Sequence, residues 1–180
     1  FIMQTIIEIA NFFAGITTIL FFVGAILLVV SRFAKNSFFT SLKQLVTKYA
    51  VHIGLVVSSA AVAGSLFYSE VAGYEPCTLC WWVRVAIYPM LVLFVIALHR
   101  KDTSVFISTL ALSIIGLFFS LQHNYQSWTG ADLGICDDAA LCNRLYVNEF
   151  GFVTIPLMGL GVLVFLFVLS LMMKKTHTHA

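Results

Sequence analysis

Five apolar runs, each long enough to cross a bilayer, constrain this chain more than any other feature. They are Ile6 to Val30, Ala50 to Tyr68, Trp81 to Leu98, Thr103 to Gln122 and Phe152 to Met173. About 20 apolar residues at 1.5 Å each span the hydrocarbon core. Backbone polar groups find no water there, so each run must be a helix. The chain is 61% hydrophobic and 10% charged, whereas soluble domains carry roughly a quarter charged residues. The expected fold is an all-α membrane protein with five spans. The first run is interrupted only by Glu8 and Asn11, near its start. A cleaved signal peptide would place basic residues before its apolar run, but here Arg32 and Lys35 follow it, so it reads as a retained span. Phe38, Phe39, Leu42, Leu45, Val46 and Tyr49 recur at helical spacing opposite a polar face. They predict an amphipathic helix in the headgroup region, or a plain connecting helix. Gly54, Ser58, Ala61, Gly64 and Ser65 make the second run one that packs closely. Pro89 predicts a kink in the third.

The charges orient the bundle. Arg32, Lys35, Lys43 and Lys48 follow the first span, Arg100 and Lys101 sit in the 99–102 turn, and Lys174 and Lys175 follow the last. All three segments fall on one side, which is therefore cytoplasmic. Glu8, Glu70, Glu75, Asp132, Asp137, Asp138 and Glu149 fall on the other. The N-terminus is then outside and the C-terminus inside. Membrane lipid is the expected environment, and no nucleic-acid partner is expected.

All four cysteines fall on the outer side, which in bacteria is the oxidising compartment. Cys77 and Cys80 stand two residues apart in Pro76-Cys77-Thr78-Leu79-Cys80-Trp81-Trp82-Val83-Arg84, at the start of the third span. Cys136 and Cys142 lie in the longest polar segment, Asn124 to Gly151, which has little apolar surface to bury. Two structural disulfides or a four-thiolate zinc site are the bland alternatives. A Cys-x-x-Cys bridge closes too short a loop to be much of a staple, which favours redox chemistry without a metal. Cys80 sits in the first turn of its helix, where unpaired N–H groups and the dipole favour a thiolate. Arg84, four residues on, adds a permanent positive charge on the same face.

Pro-Cys-x-Leu-Cys followed four residues later by arginine resembles the DsbB family of membrane thiol:quinone oxidoreductases. The likeness extends to Tyr88-Pro89, to a second outer cysteine pair, and to Phe150-Gly151-Phe152-Val153-Thr154-Ile155-Pro156. The short Cys136 to Cys142 spacing is similar to the compact BdbC-type members. Val83 departs from the family, which often has glutamine before the arginine. The resemblance covers roughly residues 50 to 173. It implies a division into an extra N-terminal transmembrane helix with a cytoplasmic amphipathic linker (1–49), a four-helix catalytic core (50–175) and a cytoplasmic tail (176–180).

The resemblance also implies the chemistry. A DsbA-like thioredoxin-fold protein on the outer side would attack the Cys136–Cys142 disulfide at Cys136, and exchange would carry the electrons to Cys77–Cys80. Cys80 would then reduce a membrane quinone, ubiquinone or menaquinone. Arg84, His123 and Trp81 are the candidate quinone-binding residues. His123, at the outer end of the fourth run, could donate to a quinone carbonyl or simply stand in interfacial water. Trp81 and Trp82 could line the quinone pocket or belong to an aromatic belt. A vitamin K epoxide reductase-like enzyme is one rival, but its quinone-facing Cys-x-x-Cys lies late in the chain. A non-catalytic protein with structural disulfides is the other. The orientation is checked by single-cysteine variants and a membrane-impermeant thiol reagent in intact cells. Positions 75 and 137 should label, and positions 43 and 101 should not. Labelling at 101 without labelling at 75 would invert the topology.

Overall fold

The computed structural model describes residues 2–33, 36–100, 105–131, 134–136 and 139–177. Lys35, Lys101, Asp132, Asp137 and Asp138 therefore lie outside the described residues. The order of elements is α1 (Ile2–Phe33), α2 (Ser37–Lys48), α3 (Ala50–Leu66), α4 (Thr78–Arg100), α5 (Phe106–Thr129), α6 (Ala139–Asn143) and α7 (Ile155–His177). Five of these helices are long and apolar enough to cross a membrane: α1, α3 with its extension to Val71, α4, α5 and α7. The all-α, five-span expectation holds. The second span does not stop at Tyr68 but runs on through a π-turn, Phe67–Val71. Turns of this kind recur where a helix is locally reshaped for a site. α4 continues without a break through Pro89. α2 buries none of its residues and leaves Phe38 and Leu45 exposed, as a helix lying on a surface does.

α7 is the central helix. Half of its span is buried, against 22–28% for the other four, and it packs against α1, α3 and α5. Lipid tails are as apolar as leucine, so close packing and interhelical hydrogen bonds hold such a bundle rather than exclusion from water. Small residues permit the approach. Gly54 on α3 receives the fully buried ring of Phe94 on α4. Gly116 on α5 lies against Leu163 of α7 and Ala86 of α4.

Polar ties fix the register between helices. Ser170 Oγ on α7 donates to Thr109 Oγ1 on α5 at 3.0 Å. Asn124 Nδ2 on α5 donates to the Pro156 carbonyl at the start of α7 at 3.0 Å. Tyr68 Oη donates to Asn11 Oδ1 on α1, also at 3.0 Å. Before α7 the chain makes a tight turn closed by the Glu149–Val153 bridge. Phe150 takes φ +54° there and Gly151 φ +78°. A non-glycine residue in that region costs about 1–2 kcal/mol. The strain is held by α1, because the Phe150 ring packs beside Phe12 at 5.9 Å and over Gly15. The first helix is thus built into the bundle at the turn that leads into α7.

A Cβ at Gly116 would stand 2.7 Å from Leu163 Cδ2 and 2.9 Å from Ala86 Cβ. Gly116→Leu should therefore cost about 1–3 kcal/mol, the usual price of overpacking. Thermal unfolding in detergent checks this, and an unchanged midpoint would show that α4, α5 and α7 do not meet there.

Candidate active site

Cys77 stands immediately before α4, and its carbonyl accepts the first helical bond from the Trp81 N–H at 3.1 Å. It is the N-cap residue. A cap side chain accepts from an orphan N–H of the first turn, and here Cys77 Sγ lies 3.4 Å from the Cys80 backbone N. The helix-start position that the sequence reading assigned to a Cys80 thiolate therefore favours charge on the Cys77 sulfur. The two sulfurs are 3.2 Å apart, and His123 Nε2 lies 3.6 Å from Cys77 Sγ. The Cys80 thiol beside it pulls the Cys77 pKa down to about 4, against the opposing effect of burial. The His123 imidazole and the Cys80 backbone N–H lower it further.

His123 is only 5% exposed, so it is not an interfacial side chain in water. It belongs to a buried polar band at the outer end of α5, with Ser120, Asn124 and Gln126. Cys136 and Cys142 are joined in a disulfide, and Cys142 is held on the short helix α6. The segment carrying this pair was expected to bury little. Instead Cys142 is 2% exposed and shares an apolar cluster with Cys77 and Leu79, with Cys80, Cys136, Ile135, Leu141 and Phe119 packed around it. All four cysteines thus meet at one end of the bundle.

Two cavities adjoin this cluster. The outer one, about 50 Å³, lies over Cys77 and is bordered by Tyr74, Glu75, Arg144 and Tyr146. Tyr74 stacks on Tyr146 at 4.6 Å and on Tyr68 at 5.9 Å, while the Arg144 guanidinium sits 5.1 Å from the Tyr146 ring. The inner one, about 290 Å³, lies among α1, α3, α4 and α7 and is lined mostly by apolar side chains. Tyr68, Cys80, Arg84, His123, Ile155 and Pro156 border both cavities.

Arg84 Nη2 donates to the Ser65 carbonyl, just before the π-turn, at 3.2 Å. It is tied across to α3 rather than drawn out to the headgroups. Trp81 borders neither cavity. It is 54% exposed on the outside of α4, with the Arg84 guanidinium 5.1 Å from its ring. Successive residues of a helix point about 100° apart, so Trp81 cannot share the inward face of Cys80. It bears on the site through Arg84. Trp82 stacks on Phe119 at 4.8 Å. The tyrosine stack and the Ser65 carbonyl were not foreseen. Tyr74 and Tyr146 come from loops far apart in sequence, and a carbonyl acceptor leaves no signature in residue type.

The inner cavity suits a quinone. Its volume is near the ~300 Å³ lower bound of small-molecule sites. Donors at its Arg84 and His123 end are matched to carbonyl oxygens, and apolar walls beyond are matched to an isoprenoid chain. For a metal, Cys77, Cys80 and His123 offer three donor atoms within 4.8 Å of one another. The four-thiolate zinc alternative needs all four sulfurs free, and the Cys136–Cys142 bond leaves two.

A membrane helical bundle with a cysteine pair at a helix start, a second pair packed on it and an apolar cavity beneath defines a membrane thiol–disulfide oxidoreductase. The family described as disulfide bond formation protein DsbB matches residues 47–174. A relative from Oceanobacillus iheyensis, named "Probable disulfide formation protein", is 39% identical over 72% of this chain and 93% of its own length. The "Disulfide bond formation protein C" of Bacillus subtilis is 35% identical over 66% of this chain and 88% of its own. No solved structure matches. The chain belongs to the DsbB family and is a disulfide-forming, multi-pass membrane oxidoreductase.

A free cysteine titrates at about 8.5. With its pKa near 4, reduced Cys77 should stay a thiolate as pH falls, and lose charge only below that value. Its alkylation rate by a small reagent should therefore be nearly flat from about pH 8 down to about pH 5, a range over which an ordinary thiol slows roughly several hundredfold. His123→Ala should restore part of the slope. A log-linear fall through this range in the parent protein would contradict the cap geometry.

Proposed function

We propose that the protein reoxidises a DsbA-like thioredoxin-fold dithiol oxidase outside the cytoplasm and passes the electrons through its two cysteine pairs to a membrane quinone, ubiquinone or menaquinone. The membrane is the bacterial cytoplasmic membrane, with the N-terminus outside and the C-terminus cytoplasmic, on the evidence of the Lys and Arg distribution. One observation carries the reading: Cys80, Arg84 and His123 form the partition between an outer cavity bordered by Cys77, which packs in one cluster with Cys142, and an inner apolar one.

The partner's thiolate attacks Cys136, releasing Cys142 as a thiolate. The partner's second thiol then displaces Cys136, so the partner is oxidised by two electrons and Cys136 and Cys142 are reduced. The reduced pair attacks the Cys77–Cys80 disulfide in the same way. It returns to its own disulfide and leaves Cys77 and Cys80 as a dithiol. A quinone held in the inner cavity at Arg84 and His123 would supply a two-electron, two-proton acceptor for the Cys77–Cys80 dithiol, which would close again to a disulfide. Cys80, bordering that cavity, faces the acceptor. His123 is placed to move a proton at the Cys77 sulfur. Arg84 cannot lose its proton, so it holds positive charge where negative charge develops near lipid.

Arg84→Met should raise the apparent KM for quinone about tenfold or more, since a charged hydrogen bond in a dry site is worth ~1.5–3 kcal/mol. Both disulfides should still form. Cys142→Ser should trap a mixed disulfide between Cys136 and the oxidised partner, whose disulfide the lone Cys136 thiolate opens. Stopped-flow quinone reduction and non-reducing gels read the two. Unchanged quinone kinetics in Arg84→Met, or full-rate partner oxidation by both Cys136→Ser and Cys142→Ser, would overturn the relay.

A further inference from the structure

The first helix lies outside residues 47–174, the part of the chain that matches the family, yet it forms a wall of the inner cavity. Ala14, Thr17, Thr18 and Phe21 of α1 line it opposite Ala60 and Gly64 of α3. α1 is seated firmly. It packs along α7, where Ala25 and Leu28 meet Val168 and Met172 and Phe21 lies 5.4 Å from Phe165. Its packing is on α7 and not on α3, which stands across a gap. At the outer end the gap is closed by the Tyr68–Asn11 hydrogen bond. Farther in, small side chains leave it open: Thr17 and Ala60 are exposed while lining the cavity. A Cβ at Gly64 would meet nothing within 4 Å.

We infer that α1 and α3 frame a lateral portal through which the isoprenoid tail of the quinone leaves the cavity toward the lipid, so that α1 makes this site selective for quinone tails. The inference rests on the quinone reading above. The cavity has donors at the Cys80 end and mostly apolar walls elsewhere, with the hydroxyls of Thr17 and Thr18 bonded back to their own helix, and it opens sideways at membrane depth. A molecule with a polar ring and a long apolar chain fits that shape with its ring at Arg84 and its chain in the gap. A side chain standing in the gap would clash with the chain while leaving room for a ring.

The full-length protein is purified, and binding of two quinones is measured by quenching of its tryptophan fluorescence, one with a polyisoprenoid tail and one without a tail. Thr17→Phe narrows the portal from α1 and Gly64→Leu narrows it from α3. Ile16→Phe, on the exposed face of α1 and lining neither cavity, is the size control. In each portal variant the ratio of affinities, long-tailed to tail-less, should fall about tenfold, the scale of one overpacked contact. In Ile16→Phe that ratio should equal the parent's. An unchanged ratio in both portal variants overturns the portal, as does an equal loss of both quinones. A parent protein that binds neither quinone overturns the proposed function itself, which separates the two failures.

Discussion

A bilayer offers no water to a polar group, so a polar side chain inside this bundle looks for its partner within the protein, on its own helix, as Ser58 and Ser113 do, or on another. That constraint fixes the geometry of the site. Arg84 is the most demanding case, because it carries a permanent charge near the lipid boundary. Its guanidinium reaches the Ser65 carbonyl on α3 and lies against the Trp81 ring. Asn124 ties α5 to the start of α7, and Tyr68 ties the π-turn to α1. Hydrogen bonds of this kind are worth only about 0.6–1.7 kcal/mol each, but they are directional. They decide register where apolar packing alone would allow sliding.

The cysteine cluster uses the same economy of partners. Two cysteines on one turn would repel as two thiolates, so one proton must be shared between them. The cap position settles where the negative charge rests. The Cys77 sulfur takes a backbone N–H and the His123 nitrogen, while Cys80 turns toward the inner cavity. The second pair is packed against the first by Leu79, Leu141 and Ile135. The α1 helix joins this arrangement at two places, under Phe150 and along the inner cavity.

The five spans, the clustering of the cysteines toward one end, and the family were all legible in the chain. Hydropathy runs, a Cys-x-x-Cys at a helix start and the Phe150–Pro156 stretch are local patterns, and local patterns survive without coordinates. Arg84 was legible too, because helical periodicity alone puts residues 80 and 84 on one face. The same periodicity argued against Trp81 as a lining residue, but its place beside Cys80 in sequence masked the 100° step between them.

What the sequence determined by itself was therefore one-dimensional: which segments are apolar and long enough to enter lipid, and where along the chain the cysteines and the charges fall. Only the tertiary structure decided which of those residues touch. His123 is forty-six residues from Cys77, and only the packing of α5 on α4 sets their atoms 3.6 Å apart. The burial of Cys142, the tyrosine stack over the outer cavity, and the gap between α1 and α3 likewise depend on how rigid helices are stacked. The physical reason is that lipid exerts no preference among apolar helix faces. The choice of neighbour rests on small residues and a few interhelical hydrogen bonds, and both are pairwise properties of surfaces distant in the chain.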